Sequence, residues 1–359
     1  MGAFKDMLGS GESVFTVDPY ALDYEYIPKK VPFRDLQQNQ ISLCIKPLLS
    51  ERNGRNLFIH GPPGIGKSVV CRHLLKALED EEIENIEPVY INCWKKNTSF
   101  KIIIEICETL GYSFTQNKKG DELFKIVKEM LNKKSAVFVL DEVDKLEDQD
   151  FLYNLLEDIF RKSVILITNN KEWIVDLDQR IKSRLTAELI EFKPYNRDET
   201  YGVLKQRLDY AFIPNVWEDD AFSLVAEKTY QLKDLRTGLY LLKEAGNAAE
   251  DEASKKILVR HVEKAISKFD EFNIKKKDEL EDESRFVLEI IKKNSGKKIG
   301  DIYKTYQEEG GKAVYKTFQR KVSSLAENRF IVTEKIMGGS EGTTTMIKHV
   351  GSLKTLKDF

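Results

Sequence analysis

The feature that most constrains this chain is the glycine-rich segment GPPGIGKS at residues 61–68, which stands between an apolar run and an amphipathic one. Residues 56–60 predict a short buried strand, and the apolar spacing of residues 68–78 predicts a helix. The segment fits G-x-x-x-x-G-K-[ST], whose backbone N–H groups surround phosphate oxygens at a helix N-terminus. A simple glycine turn is the alternative. The predicted phosphate-binding residues are Gly61, Pro62, Pro63, Gly64, Ile65, Gly66, Lys67, Ser68 and Val69.

Apolar runs at 89–92, 136–140, 164 onward and 189–192 predict further strands, separated by helical stretches. Strands that alternate with helices are typical of a parallel α/β sheet. A helix is predicted from residue 35 to about 49, after an extended lead-in fixed by Pro28 and Pro32. Beyond residue 195 the pattern is purely helical, with helices at about 196–210, 218–228, 235–248 and 258–269. An α/β domain followed by an all-α domain is expected.

Two carboxylates, Asp141 and Glu142, follow the buried run at 136–140. The carboxyl ends of strands are where open α/β sheets bind ligands. Asp141 and the Ser68 hydroxyl are predicted to hold Mg²⁺, Lys67 to contact the β- and γ-phosphates, and Glu142 to orient and deprotonate the attacking water. Acidic residues that merely end a strand are the alternative.

The last part of the chain predicts three helices, at 285–293, 299–307 and 313–328, followed by a two-stranded hairpin, the outline of a winged helix. In the third helix, Val314, Phe318, Val322 and Leu325 are expected to form the buried stripe. A helix of this kind fits the major groove of DNA. The predicted DNA contacts are Tyr315, Lys316, Gln319, Arg320, Lys335, Gly339, Ser340, Thr343 and Lys348. The alternative is that this module binds a protein instead of DNA.

The formal charge of the chain is −2, with 57 Lys and Arg against 59 Asp and Glu, but the charge is unevenly distributed. From Arg285 to the end there are 15 Lys and Arg against 8 Asp and Glu, so this basic module follows an acidic body. Such asymmetry favours a polyanionic partner for the module, although a solvated lysine-rich surface would have the same composition.

No apolar stretch is long enough to span a membrane, and no signal peptide is recognised, which predicts a cytoplasmic protein.

The lead-in YIPKKVPFRDLQQNQ, the loop GPPGIGKS, LDEVD, ITNN, RIKSRL and LKDLRTGLYLLKEAG, in this order, resemble archaeal initiators of the origin-recognition/cell-division-cycle family. The resemblance implies an AAA+ P-loop ATPase domain at 1–194, a helical lid at 195–279 and a winged-helix DNA-binding domain at 280–359. It also implies roles for further site residues. Asn169 would read the γ-phosphate, Arg184 would be the arginine finger with Arg180 as the alternative, and Arg236 would contact the γ-phosphate from the lid. The residues that would contact the base are Val31, Pro32, Phe33 and Arg34, for which packing in the core is the alternative.

The family further implies an ATP-dependent, slowly hydrolysing replication initiator that binds ATP or ADP with Mg²⁺. Its expected partners are double-stranded origin DNA, an MCM-type helicase and other copies of itself through the arginine finger, with no membrane. The resemblance implies a second DNA contact through the insertion at 96–131. A nucleotide-bound DNA-binding regulator, a clamp-loader-like protein and a transposition ATPase remain alternatives. A nucleoid-associated protein is expected.

Overall fold

The computed structural model describes residues 13–16, 19–81, 83, 85–278, 282–327, 330–338 and 342–349. The chain divides into two compact units, Met1–Ile266 and Ser267–Phe359. Each unit has its own hydrophobic core, and each is described by itself.

A five-stranded parallel sheet forms the centre of the first unit, in the order β2-β3-β4-β1-β5. Every residue of β3 and β4 is buried, as expected for central strands covered by helices on both faces. The parallel α/β sheet predicted from the sequence is therefore confirmed. The strands are β1 (Leu57–His60), β2 (Ile86–Asn92), β3 (Ser135–Asp141), β4 (Lys162–Thr168) and β5 (Glu188–Glu191).

Among the described residues, seven α-helices accompany the sheet, and alternate strand residues face two different helical layers. Val137 and Val139 of β3 pack with α1 and α2, whereas Phe138 and Leu140 pack with the helices of the other face. This alternation is the period-2 geometry of a strand buried on both sides. The helices are α1 (Asp35–Ile45), α2 (Lys67–Asp80), α3 (Ser99–Thr109), α4 (Gly120–Leu131), α5 (Asp150–Asp158), α6 (Trp173–Asp176) and α7 (Gln179–Leu185).

The first helix is shorter than its sequence pattern predicts. It ends at Ile45 rather than near residue 49, and Lys46–Ser50 form a 3-10 helix. Pro47 is the physical reason, because it has no backbone N–H to donate to the carbonyl four residues earlier and its ring crowds that carbonyl.

The helical lid follows β5 and contains the four helices that the apolar periodicity predicts. Its first helix starts with a reciprocal cap, in which Asn196 Oδ1 accepts from the Glu199 amide at 2.9 Å and Glu199 Oε2 accepts from the Asn196 amide at 2.8 Å. The last lid helix is longer than predicted and crosses the division between the units at residues 266 and 267. The domain limits at 194 and 279 stay predictions. The helices are α8 (Arg197–Ala211), α9 (Asp219–Leu232), α10 (Leu235–Asp251) and α11 (Val259–Asp278).

After the end of α11, the described part of the second unit has three helices and a three-stranded antiparallel sheet of order β6-β8-β7, which is the order of elements in a winged helix. Phe318, Val322 and Leu325 are buried as predicted. Val314 is 67% exposed, so its predicted burial is wrong: α14 begins at Tyr315, and the helical period does not extend to the residue before it. The elements are α12 (Asp282–Lys293), β6 (Lys297–Lys298), α13 (Ile299–Glu308), α14 (Tyr315–Glu327), β7 (Ile331–Gly338) and β8 (Gly342–His349).

Candidate functional site

The glycine-rich segment runs from the end of β1 to the start of α2, and its glycines have the backbone conformation that a phosphate cradle needs. Gly61, Gly64 and Gly66 have φ values of 152°, 73° and 89°. A Cβ on Gly61 would lie 2.2 Å from the carbonyl oxygen of Phe192, and one on Gly64 would lie 2.0 Å from Asp234 Oδ1. These positions therefore require glycine. Since α2 starts at Lys67, free helical N–H groups face the loop.

Lys67 is buried beside the loop, with 6% of its surface exposed. Its Nζ donates to the carbonyl oxygens of Gly61 at 2.8 Å and Pro62 at 2.7 Å, and to Asn169 Oδ1 at 2.7 Å. Burial lowers the pKa of Lys67 to about 8, and the negative charge of Asp141 opposes that shift. An anion bound here would stabilise the protonated form of the lysine.

Asp141 and Glu142 lie at the carboxyl end of β3, as the sequence predicts. Asp141 is 3% exposed, and its Oδ1 accepts from the Glu142 amide at 2.9 Å. Glu142 has a φ of 55°, in the left-handed region. Burial raises the pKa of Glu142, and the charges of Asp141 and Asp144 add to the increase. A carboxylate with a raised pKa beside a phosphate site has the property of a general base.

The loop after β4 brings a polar side chain to the same edge of the sheet. Asn169 contacts Lys67, and the neighbouring Thr168 hydroxyl donates to Asp144 Oδ1 at 2.6 Å. The loop after β4 is thereby tied both to the phosphate loop and to the acidic segment after β3. The predicted residues Lys67, Asp141, Glu142 and Asn169 thus come together at one place.

The lid contributes Arg236 and the backbone before it. The Leu235 amide donates to the Gly64 carbonyl at 3.0 Å, and Asp234 caps α10 through the Arg236 amide at 3.0 Å. Arg236 Nε lies 3.3 Å from Asp234 Oδ1. The lid therefore contacts the phosphate loop directly, and Arg236 lines the same cavity as Lys67.

A cavity of about 250 Å³ lies between the loop, the acidic segment and the lid, slightly below the usual range of small-molecule sites. Part of the lining is apolar. It contains the predicted base contacts Val31 and Pro32, and also Pro28, Val203, Leu204 and Leu239. The predicted base contacts Phe33 and Arg34 are not in the described lining. Phe33 is 45% exposed, and Arg34 is buried behind the loop, where it donates to the carbonyls of Ile65 at 3.1 Å and Lys193 at 2.8 Å.

The lining also contains residues that the sequence patterns did not single out, including Tyr24, Tyr195 and Arg207. Arg207 is 7% exposed and donates to the Ala21 carbonyl at 3.2 Å. Burial lowers the pKa of Arg207. The sequence did contain a feature that could have identified Arg207 as a site residue. Arg207 is a charged residue on the otherwise apolar buried stripe of α8, which includes Leu204, Leu208 and Ala211.

Arg184 and Arg180 lie on α7, away from the described cavity lining. Arg184 forms an ion pair with Glu157, and its guanidinium lies 4.9 Å from the ring centroid of Tyr153. Arg180 is paired with Asp178 at 3.1 Å. Neither arginine is in contact with the phosphate loop of its own chain.

In the second unit, the predicted contacts on α14 share one exposed face. Lys316, Gln319 and Arg320 are exposed, and Tyr315 is 38% exposed with its ring edge-on to Tyr303. Lys335 lies on β7, and Thr343 and Lys348 lie on β8. Gly339 and Ser340 lie outside the described residues.

Where side chains are described, no helix is long and apolar enough to cross a lipid bilayer.

Comparisons with known proteins agree with this arrangement. A family model described as "AAA domain" matches residues 50–171, and one described as "Cdc6 AAA+ ATPase-type lid domain" matches residues 201–267. The ORC1-type DNA replication protein 1 of Sulfurisphaera tokodaii is 31% identical over 320 residues, which cover 84% of this chain and 80% of that protein. The protein of the same name from Archaeoglobus fulgidus is 31% identical over 345 residues, covering 90% and 84% of the two chains.

Among solved structures, that of the Aeropyrum pernix ORC1 protein in complex with DNA is similar, with a TM-score of 0.69 and 24% identity, covering 94% of each chain. At that identity the likeness shows the fold. The family resemblance read from the sequence is confirmed by the two relatives at 31% identity.

Proposed function

This chain belongs to the family of ORC1-type DNA replication proteins and is a replication initiator of the AAA+ ATPase class, and from that premise we propose how it works. ATP with Mg²⁺ binds in the cavity beside the phosphate loop. Origin DNA binds to the second unit, and the nucleotide acts as a conformational switch that helps to load an MCM-type helicase. A DNA-bound initiator would lie with the chromosome in the cytoplasm.

One observation carries the nucleotide part of this proposal: Lys67, Asp141, Glu142, Asn169 and Arg236 from separate segments converge on one cavity beside three left-handed glycines. Ser68 at the start of α2 and Asp141 at the end of β3 offer the oxygen ligands that Mg²⁺ prefers, so the donor set fits this ion. When bound, Mg²⁺ neutralises charge that develops on the phosphates.

The residues of the chain have separate tasks in this scheme. The backbone of residues 61–69 holds the phosphates, and the ammonium of Lys67 contacts the β- and γ-phosphates. Glu142 accepts a proton from the attacking water, for which its raised pKa is suited. Asn169 is proposed to orient that water and to donate from its NH₂ group to the γ-phosphate. Its Oδ1 accepts from Lys67 Nζ at 2.7 Å, so the side chain lies beside the lysine that contacts the same phosphate.

The lid couples nucleotide state to domain position. Arg236 is proposed to exchange its contact with Asp234 for a charge-assisted hydrogen bond to the γ-phosphate. Because ADP lacks the γ-phosphate, only ATP can accept this hydrogen bond from Arg236. The hydrogen bond between Leu235 and Gly64 transmits the resulting hinge motion to the loop.

Turnover is proposed to need a second copy of the chain. Arg184 is outside the described cavity lining of its own chain and is paired with Glu157, so we propose that it exchanges Glu157 for the nucleotide of a neighbouring chain. A trans arginine contributes most of the transition-state charge stabilisation in related chemistry. An isolated subunit is therefore expected to hydrolyse ATP slowly.

DNA recognition is assigned to the exposed face of α14, with Tyr315, Lys316, Gln319 and Arg320, and to the hairpin of β7 and β8. The net positive charge from Arg285 onward supports binding of a polyanion. Arg and Gln are side chains that read base edges in the major groove, and Lys neutralises phosphates. Two lysines at the start of the insertion are weaker candidates for the second DNA contact. Lys96 is paired with Glu105 at 2.6 Å, and Lys95, just before the insertion, lies 3.7 Å from Glu25.

Fluorescence anisotropy tests the DNA assignment. The full chain is titrated onto duplexes from the host replicon's origin and onto a shuffled duplex, at one stated salt concentration, with ATP or ADP. We expect tighter binding to the origin duplex, and loss of that preference in Arg320→Ala. Arg52→Ala, which removes an exposed arginine of the first unit, is the matched control. Equal weak binding to both duplexes by the wild-type chain would contradict origin recognition and favour a protein partner for the second unit.

A further inference from the structure

Asp141 has a hydrogen-bond donor that no sequence motif marks. The hydroxyl of Tyr90, on β2, donates to Asp141 Oδ2 at 2.6 Å. Tyr90 and Asp141 are 51 residues apart in the chain, but β2 pairs with β3 in parallel register. The contact therefore exists only because the sheet places the two strands side by side.

The other oxygen of Asp141 is also held. Asp141 Oδ1 accepts from the Glu142 amide at 2.9 Å, and the side chain is 3% exposed. A carboxylate has about four lone-pair positions on its two oxygens, so each oxygen keeps room for one more partner. The two donors restrict the orientation of the carboxylate and leave acceptor capacity on both oxygens of a residue that lines the cavity.

The Tyr90 ring is positioned by the helix that presents Ser68. The guanidinium of Arg72 lies 5.6 Å from the ring centroid, and Arg72 is one turn after Ser68 on α2. The ring also packs against the core between the sheet and that helix. Tyr90 is thus held between the two elements that carry the proposed oxygen ligands.

We propose that Tyr90 is a positioning residue for the divalent cation, which acts by fixing the Asp141 carboxylate relative to the Ser68 hydroxyl. This inference rests on the proposed role of Asp141 in holding Mg²⁺. Hydrogen-bond partners of metal-binding carboxylates set the orientation of those ligands, and their loss typically lowers metal affinity or activity about 10- to 100-fold. Tyr90 touches neither the nucleotide nor the water in this scheme.

The test variant is Tyr90→Phe, which removes the hydroxyl and keeps the ring. Mn²⁺ binding to the full chain in complex with ADP is followed by electron paramagnetic resonance, and ADP affinity is measured separately in EDTA. We expect Mn²⁺ affinity to fall about 10-fold, while metal-free ADP affinity stays within twofold of wild type. Tyr112→Phe removes the hydroxyl of a tyrosine outside the described cavity lining and should change neither quantity.

The outcomes separate the inference from the function on which it rests. If wild type binds Mn²⁺ in an ADP-dependent way and Tyr90→Phe binds it equally well, Tyr90 has no positioning role. If Tyr90→Phe loses metal-free ADP affinity to the same extent, the hydroxyl acts on the fold and the inference is overturned. If wild type shows no ADP-dependent metal binding, the proposed Mg²⁺ site itself is wrong.

Discussion

The Leu235 amide donates a hydrogen bond to the Gly64 carbonyl at 3.0 Å, and this contact joins the lid to the phosphate loop. Asp234, the residue before it, lies against the Cα of Gly64 with its carboxylate where a Cβ would stand. The glycine at position 64 thus serves two purposes: it allows a φ of 73° and it leaves space for the lid. Nucleotide binding and lid position share one backbone segment.

Gly64→Ala should weaken both functions of this segment. The new methyl group would meet Asp234 Oδ1 at 2.0 Å, and alanine disfavours the left-handed backbone by about 1 kcal/mol or more. We expect ADP affinity to fall at least about 10-fold, which is roughly 1.4 kcal/mol, as measured with a fluorescent ADP analogue. Gly300→Ala is the control, because a Cβ there meets nothing within 4 Å. Wild-type ADP affinity in Gly64→Ala would show that nucleotide binding does not depend on glycine at position 64.

Glu142→Gln should separate nucleotide binding from hydrolysis. The amide keeps the size of the side chain but cannot accept a proton from water, so kcat should fall by about 100-fold or more, with ATP affinity nearly unchanged. Steady-state phosphate release and equilibrium ATP binding measure the two quantities. Glu79→Gln, at an exposed position on α2, is the matched control. Hydrolysis at the wild-type rate would remove Glu142 from the mechanism.

Arg184→Ala should lower hydrolysis only where chains associate. If the arginine acts on a neighbour's ATP, the wild-type rate per subunit should rise with protein concentration, and the variant's rate should stay at the low-concentration level. Mixing Arg184→Ala with Lys67→Ala tests the trans arrangement, because partial recovery requires one intact nucleotide site and one intact arginine on different chains. Arg180→Ala under the same conditions distinguishes the two arginines. Unchanged hydrolysis in Arg184→Ala, with loss in Arg180→Ala, would reassign the finger.

Glu252 should make folding stability depend on acid pH. Hydrogen bonds from Lys264, His261 and Arg260 lower the pKa of Glu252 to about 2. Since the folded-state value lies below the unfolded one, the contribution is fully present above about pH 4.5 and is lost as the pH falls towards 2.

Urea unfolding of wild type and Glu252→Gln checks this expectation. The difference between their free energies of unfolding should be largest near pH 7 and should shrink as the pH falls through 4. Glu263→Gln, an exposed carboxylate on α11, the helix that carries the three partners of Glu252, controls for the loss of one charge. A difference that stays constant from pH 7 to pH 3 would show that the carboxylate does not stabilise this helix pair through its charge.

Local features of the sequence were sufficient to predict the phosphate loop, the acidic segment after β3 and the start of α8. The spacing of glycines, Lys67 and Ser68 predicts the phosphate loop, because phosphate binding needs those residue types within eight positions. Asp141 and Glu142 are predicted because a buried strand ends immediately before them. The start of α8 follows from Asn196 and Glu199, whose reciprocal cap is local.

Other predictions failed or stayed open because they depended on packing. Phe33 and Arg34 belong to the lead-in that the resemblance predicts to contact the base, but neither is in the described cavity lining. Arg34 donates to the Ile65 carbonyl, and the Phe33 ring lies beside Gly202 of α8. Helical spacing included Val314 in a buried stripe, but α14 starts one residue later. The helix predicted to about residue 49 ends at Ile45, because Pro47 interrupts its hydrogen bonds.

The sequence by itself therefore determined the nucleotide loop, the acidic segment after β3, the class of fold and the family. Tertiary structure alone decided which distant side chains support them: Tyr90 beside Asp141, Asp234 beside Gly64 and Glu157 beside Arg184. The physical reason is that short-range motifs are set by backbone geometry within a few residues. Contacts between strands and between domains depend on register and packing, which a single sequence leaves unspecified.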